Sequence, residues 1–145
     1  MSDVHFYKTS VKWEEGRIGL LSAPELHDIK VATPPEFPKG VSGIWSPEHL
    51  FVASVNVCFM TTFLAIAENS KLNFISFNCE ATGKLEKVDN KFMISEIELI
   101  PTVEIGDENL SERLERILNK SEEHCLISNS VKTKVILKPS IVIKN

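Results

Sequence analysis

Three thiols, an early arginine and a carboxylate at the mouth of an apolar segment are the residues of this 145-residue chain with chemistry to offer. The thiols are Cys58, Cys79 and Cys125. So sparse and odd a set does not suggest a secreted disulfide framework, and no CxxC or His-rich spacing suggests zinc. In a reducing compartment a pair of thiols is more often reactive than structural. The competing reading is plain burial, because free cysteine is among the most buried residue types. Cys79 in a strand pattern and Cys58 inside SPEHLFVASVNVCF (46–59) both fit burial. Cys125 fits it less well, since it ends a helix beside His124 and precedes the polar Ser128-Asn129-Ser130. A reactive thiol needs a lowered pKa, normally from a nearby cation. The cations at turns are Arg17, directly after Gly16, and Lys39. No histidine and acid are spaced to mark partners for Cys58 as a hydrolytic nucleophile, although a triad is set by geometry.

The elements that must position these groups follow from periodicity and punctuation. Residues 4–13 are rich in aromatic and β-branched types, Glu14-Glu15-Gly16 reads as a turn, and 17–21 as the returning strand. A third strand is expected over 27–33, completing a meander. Residues 34–45 hold three prolines and two glycines and read as a loop, a candidate wall for a pocket. Ser46 caps a helix with Pro47 at its first position and Glu48 in its first turn, where a carboxylate suits the positive end of the dipole. That helix should run over 46–69, with apolar residues on most faces, so burial nearly all round is expected. Two longer strands follow over 73–85 and 92–104, joined by a polar turn at Val88-Asp89-Asn90. Leu110, Leu114, Ile117 and Leu118 give a second, amphipathic helix over 107–124 with Cys125 at its end. A last strand is expected over 131–137. The order βββ-α-ββ-α-β predicts one α+β domain over residues 1–145 with mostly antiparallel sheets and two main helices.

Composition narrows the partners. Hydrophobic residues make up 43% and charged residues 25%, and the net charge is −4 with scattered lysines and arginines. Nothing here favours nucleic acid or an anionic membrane surface. The N-terminus lacks a charged region followed by an apolar stretch, so a cytoplasmic location is expected. The apolar stretch over 50–67 carries Ser54, Asn56, Thr61 and Thr62 and reads as too short and too polar to span a bilayer.

Read together, Gly16-Arg17-Ile18-Gly19, Ser46-Pro47-Glu48-His49-Leu50-Phe51, the run from Ala53 into Cys58-Phe59, and His124-Cys125-Leu126-Ile127-Ser128-Asn129-Ser130 resemble the OsmC/Ohr family. These are the osmotically inducible protein C and organic hydroperoxide resistance proteins, and the resemblance extends over nearly the whole chain. It implies an intertwined homodimer with a central helix, and thiol-dependent reduction of organic, including fatty-acid-type, hydroperoxides in oxidative-stress defence. Cys58 would be the attacking thiol, becoming a sulfenic acid, and Cys125 would condense with it to a disulfide. Arg17 would hold the thiolate and polarise the peroxide, and Glu48 would orient Arg17. No bound cofactor or metal is implied, only an external dithiol reductant of the lipoyl or another type. The chain departs from the Ohr pattern at Ser54-Val55-Asn56-Val57, where a Gly-Tyr-x-Ala run is usual, and at Leu126, where proline is usual.

Helix geometry bears on the dimer. Glu48 and Cys58 stand ten residues apart, or ~15 Å along one helix axis, beyond the reach of a glutamate side chain. If both serve one site, the glutamate comes from a second, antiparallel copy of the helix. The competing function for the same fold is a non-enzymatic dimeric protein that binds a small molecule behind residues 34–45. Such a protein has no need of Cys58, Arg17, Glu48 and Cys125 together.

Overall fold

Gly16, at φ 51°, takes up the left-handed backbone conformation that costs glycine nothing. The chain therefore reverses there, and Ser10–Glu15 (β1) turns back into Ile18–Ser22 (β2) with Arg17 at the turn. The Trp13 indole N–H donates to the Gly16 carbonyl at 3.0 Å and braces the reversal. Ile29–Ala32 (β3) adds to β2, giving the antiparallel meander β1-β2-β3. The computed structural model describes residues 3–145. The first strand begins later than residue 4. Residues 4–9 lie outside any strand, and Phe6 and Tyr7 are both 92% exposed. Aromatic and β-branched content makes a strand only where a ladder partner exists, and β2 reaches no further than Ser10.

Backbone bonds pin the loop that follows. Val41 N–H donates to Thr33 and Ala32 N–H to Trp45, both at 2.9 Å. Gly40 passes so close to Pro34 that a Cβ would lie 1.9 Å from its carbonyl oxygen. Only glycine fits there. The next helix, Pro47–Asn69 (α1), starts with a reciprocal cap. The Ser46 hydroxyl accepts the His49 N–H at 3.1 Å and itself lies 2.7 Å from His49 Nδ1. Histidine thus fills the place usually taken by Glu or Gln in a capping box. Contacts divide the chain into two compact units, one running to Leu50 and the other Phe51–Asn145.

In the second unit Ser76–Val88 (β4) and Lys91–Ile105 (β5) form a long antiparallel hairpin. Its turn residues Asp89 and Asn90 both have positive φ, which matches the twist of a two-residue hairpin loop. Ser111–Glu123 (α2) follows a single 3-10 turn at Glu108–Leu110, so the helix expected over 107–124 is split near its start. Lys134–Leu137 (β6) and Ser140–Ile143 (β7) then both pair with β5 in parallel, one beside each half of it. The antiparallel expectation holds for the meander and the hairpin but not for these strands. A crossover through α2 returns the chain in the direction of β5, as parallel pairing requires. β7 is too short, behind Pro139, to stand out in the sequence.

Odd-numbered residues of β5 from Ile97 to Ile105 are buried and face both helices. A bulge opposite Lys84/Leu85 shifts the register, so Ile94, rather than Met93 or Ser95, joins the core side. From α1 the core takes Val55, Phe59, Phe63 and Ala67, one stripe spaced by four. The Phe63 ring stacks on Phe77 with centroids 4.9 Å apart and meets Phe74 edge-on at 5.3 Å. Burial of α1 all round, as expected from its composition, is not found. One sheet covers one stripe, and Val57, Met60 and Leu64, at i, i+3 and i+7, are 54%, 36% and 40% exposed. At 23 residues α1 is also long and apolar enough to cross a membrane by length and composition, which the stretch 50–67 alone did not suggest.

Candidate active site

Cys58 sits midway along α1, one position before the buried Phe59, on the flank of the stripe that meets the sheet. Cys125 lies just past α2. The helix stops at Glu123, Cys125 N–H donates to Glu122 at 3.2 Å, and the Cys125 carbonyl accepts the Asn129 N–H at 3.0 Å. These bonds fold 125–130 into a tight turn that ends in the 3-10 segment Ser128–Ser130. The turn brings the fully buried Cys125 thiol close enough to the Cys58 thiol for the two to interact electrostatically. Both cysteines are free.

The two sulfurs are not equivalent. Burial alone works to raise the Cys58 pKa, but donors converge on its sulfur and hold the net value below the ordinary thiol range. They are, in falling order, the Ile127 N–H, the Cys125 thiol, the Thr62 hydroxyl and the Leu126 N–H. The Cys125 pKa is raised, first by burial and then by the neighbouring Cys58, against the opposing Ser128 hydroxyl and N–H. Of the two, Cys58 therefore gives up its proton more readily and Cys125 keeps its proton longer. A nucleophile with a protonated thiol against it is the arrangement that disulfide chemistry uses. Cys79, on β4, is different. Burial pushes its pKa up to about 11, so it stays a thiol.

Arg17 and Glu48 belong to the first unit. The hairpin turn leaves Arg17 exposed, where it lines three cavities of about 480, 410 and 490 Å³. Glu48 shares the second of these, together with Thr33, Phe37 and the prolines 34, 38 and 47. The loop over 34–45 is thus a pocket wall. Among the described residues Glu48 Oε1 is buried without a hydrogen-bond partner, and the two ion pairs are Lys84–Glu86 and Lys138–Glu98. Arg17 and Glu48 line one cavity without forming an ion pair. Lys39 lines the third cavity with Arg17. The resemblance placed Cys58, Cys125, Arg17 and Glu48 in one site but left Asn56 without a role. Its amide donates to the Cys79 carbonyl at 3.1 Å, tying α1 to β4, the terminal strand of its sheet.

Sequence reasoning missed Thr62 and the backbone of 126–127. The signal for Thr62 was present, since it stands one helical turn after Cys58 on the same face. The two main-chain N–H groups leave no trace in residue types.

The sequence model of the OsmC-like proteins matches residues 40–140 of this chain. No curated protein matches it in sequence. Among solved structures, the OsmC-like protein of unknown function from Vibrio cholerae is similar with a TM-score of 0.86 at 24% identity, covering 94% of this chain and 99% of its own. The organic hydroperoxide resistance protein of Elizabethkingia anophelis gives 0.78 at 18% identity, over 99% and 100%. The organic hydroperoxide resistance protein OsmC of Legionella pneumophila gives 0.73 at 25% identity, over 97% and 100%. The α+β architecture with two helices is the fold of those proteins.

Proposed function

Because this chain belongs to the OsmC-like protein family, we propose that it is a thiol-dependent peroxidase that reduces organic hydroperoxides to alcohols. One observation carries the reading: Cys58 and Cys125 meet thiol to thiol, with the first favoured as thiolate and the second as thiol. The structural relatives named for organic hydroperoxide resistance support it.

The Cys58 thiolate attacks one peroxide oxygen. An S–O bond forms, the O–O bond breaks, and the departing alkoxide takes a proton to become the alcohol. The Cys58 sulfenic acid then condenses with the Cys125 thiol, whose proton leaves with the sulfenic hydroxyl as water, forming a disulfide. An external dithiol, by two exchange steps, returns both thiols. Arg17 is assigned to the peroxide, since a guanidinium stays charged at any working pH, and Glu48 to fixing its plane. The unpaired Glu48 Oε1 in a cavity that Arg17 also lines supports that pairing.

A homodimer completes the reading. The exposed stripe Val57-Met60-Leu64 needs cover, and an antiparallel copy of α1 would also bring Glu48 and Arg17 of one copy towards Cys58 of the other. Sedimentation at micromolar concentration should show a dimer. A detergent-dependent monomer would assign the stripe to lipid instead.

The deciding experiment is thiol titration before and after one equivalent of cumene hydroperoxide, with the disulfide mapped. Two thiols should disappear into a Cys58–Cys125 bond. Cys58→Ser should abolish peroxide consumption, and Cys125→Ser should allow one turnover and stall as sulfenic acid. Equal consumption by Cys58→Ser and Cys79→Ser proteins would leave the small-molecule binding protein as the surviving function.

A further inference from the structure

Thr62 has a hydroxyl in the middle of an apolar helix. Threonine at such a place commonly returns its hydroxyl to a carbonyl three or four residues back. For Thr62 the carbonyl four back is that of Cys58, and the Thr61 hydroxyl already bonds it at 3.1 Å. Thr62 Oγ1 lies instead 3.9 Å from Cys58 Sγ. Across from it, the N–H groups of Leu126 and Ile127, in the turn that follows Cys125, both act to favour the charged form of the same sulfur. They are consecutive and lead into a 3-10 turn, the kind of concavity in which successive N–H groups gather around an anion. A thiolate can only accept hydrogen bonds, and here three donors outside the thiol pair come from its own chain.

Resting on the reading of Cys58 as the attacking thiol, we propose that Thr62 and the main-chain N–H groups of Leu126 and Ile127 are the positioning groups that hold Cys58 as thiolate, leaving the Arg17 guanidinium for the peroxide. The arrangement has a chemical consequence. When Cys125 leaves to form the disulfide its own donor bond is lost, but the other three remain. They can receive the Cys58 thiolate again when the dithiol regenerates it. The same short turn thus carries the resolving thiol and two of the groups that prepare the attacking one.

The test follows iodoacetamide alkylation of Cys58 against pH in the full-length protein, read residue by residue by mass spectrometry. Thr62→Val keeps the branched shape and removes the hydroxyl. It should slow alkylation at neutral pH about three- to tenfold, the usual range for one lost hydrogen bond, and move the midpoint up while the alkaline plateau stays. Thr62→Ser should restore the wild-type profile, which a role in packing alone would not do. Ile127→Pro deletes one N–H where φ is −69°, a value that proline accepts, and should move the midpoint the same way. Arg17→Ala should lose peroxide turnover while its Cys58 midpoint stays below the ordinary thiol range. Superposable profiles for Thr62→Val, Ile127→Pro and wild type would overturn the proposal. So would an Arg17→Ala midpoint in the ordinary range. Alkylation needs no peroxide, so the two readings fail separately. Shifted profiles in a protein that consumes no hydroperoxide would uphold the cradle and remove the peroxidase.

Discussion

Gly83 offers a direct test of how α1 is seated on its sheet, and so of what fixes Cys58. It lies in β4, and a Cβ there would stand 2.5 Å from Val52 Cγ2 and 3.5 Å from Ile94 Cγ2. An ordinary carbon–carbon contact is about 3.5–4.0 Å, so Gly83→Ala asks Val52 or the helix to retreat by at least about 1 Å. Val52 cannot simply rotate, because a valine within a helix has one strongly preferred χ1. The helix must lift or the side chain must leave its rotamer, at about 1–3 kcal/mol for overpacking. Relief of strand glycine entropy returns about 0.5–1 kcal/mol. The net expectation is about 1–2 kcal/mol of destabilisation, or a Tm lower by about 2–8 °C at this chain length. Val52→Ala alone should cost about 1 kcal/mol, yet in the double variant it removes the clash. Urea unfolding of the four proteins would then show the double variant more stable than the sum of the singles by about 1–2 kcal/mol. Additive values would refute the claim that Val52 against Gly83 sets the helix–sheet spacing.

Other outcomes follow from the same geometry. Phe63→Ala removes a fully buried ring stacked on Phe77 and should cost about 3–5 kcal/mol in chemical denaturation. Arg17→Lys keeps the charge but loses the planar fork, so hydroperoxide turnover in a coupled assay should fall at least tenfold with Tm unchanged. Cys79, raised to about 11 by burial, favours the folded state fully below the ordinary thiol value and loses that contribution as pH climbs to about 11. Cys79→Ala should therefore flatten the alkaline fall in stability in that window. Cys58 has the opposite sign, since its lowered value gives a contribution present above the unfolded thiol pKa and lost as pH falls through the folded one. Cys58→Ala should remove that dependence in a stability–pH profile.

The sequence by itself determined the elements whose signals are local. Ser46-Pro47-Glu48 marked the start of α1, Gly16 placed Arg17 at a reversal, and the spacing of Leu110 to Leu118 gave the buried face of α2. Cap, turn and periodicity are properties of a few neighbouring residues, so they are written in the chain. The choice of Cys58, Cys125, Arg17 and Glu48 as site candidates likewise rested on motifs in a fixed order. The tertiary structure decided what depends on partners distant in sequence. Residues 4–9 form no strand because no ladder reaches them, and β6 and β7 run parallel because α2 carries the chain back across the sheet. The bulge at Ser95 reversed which residues of β5 face the core, a register shift that strict alternation hides. Most of all, the difference between Cys58 and Cys125 came from the fold. Burial works to raise both thiols, but the groups acting on Cys58 outweigh it while those on Cys125 do not. Residue types say which atoms can donate; only the folded turn after α2 says where the donors point.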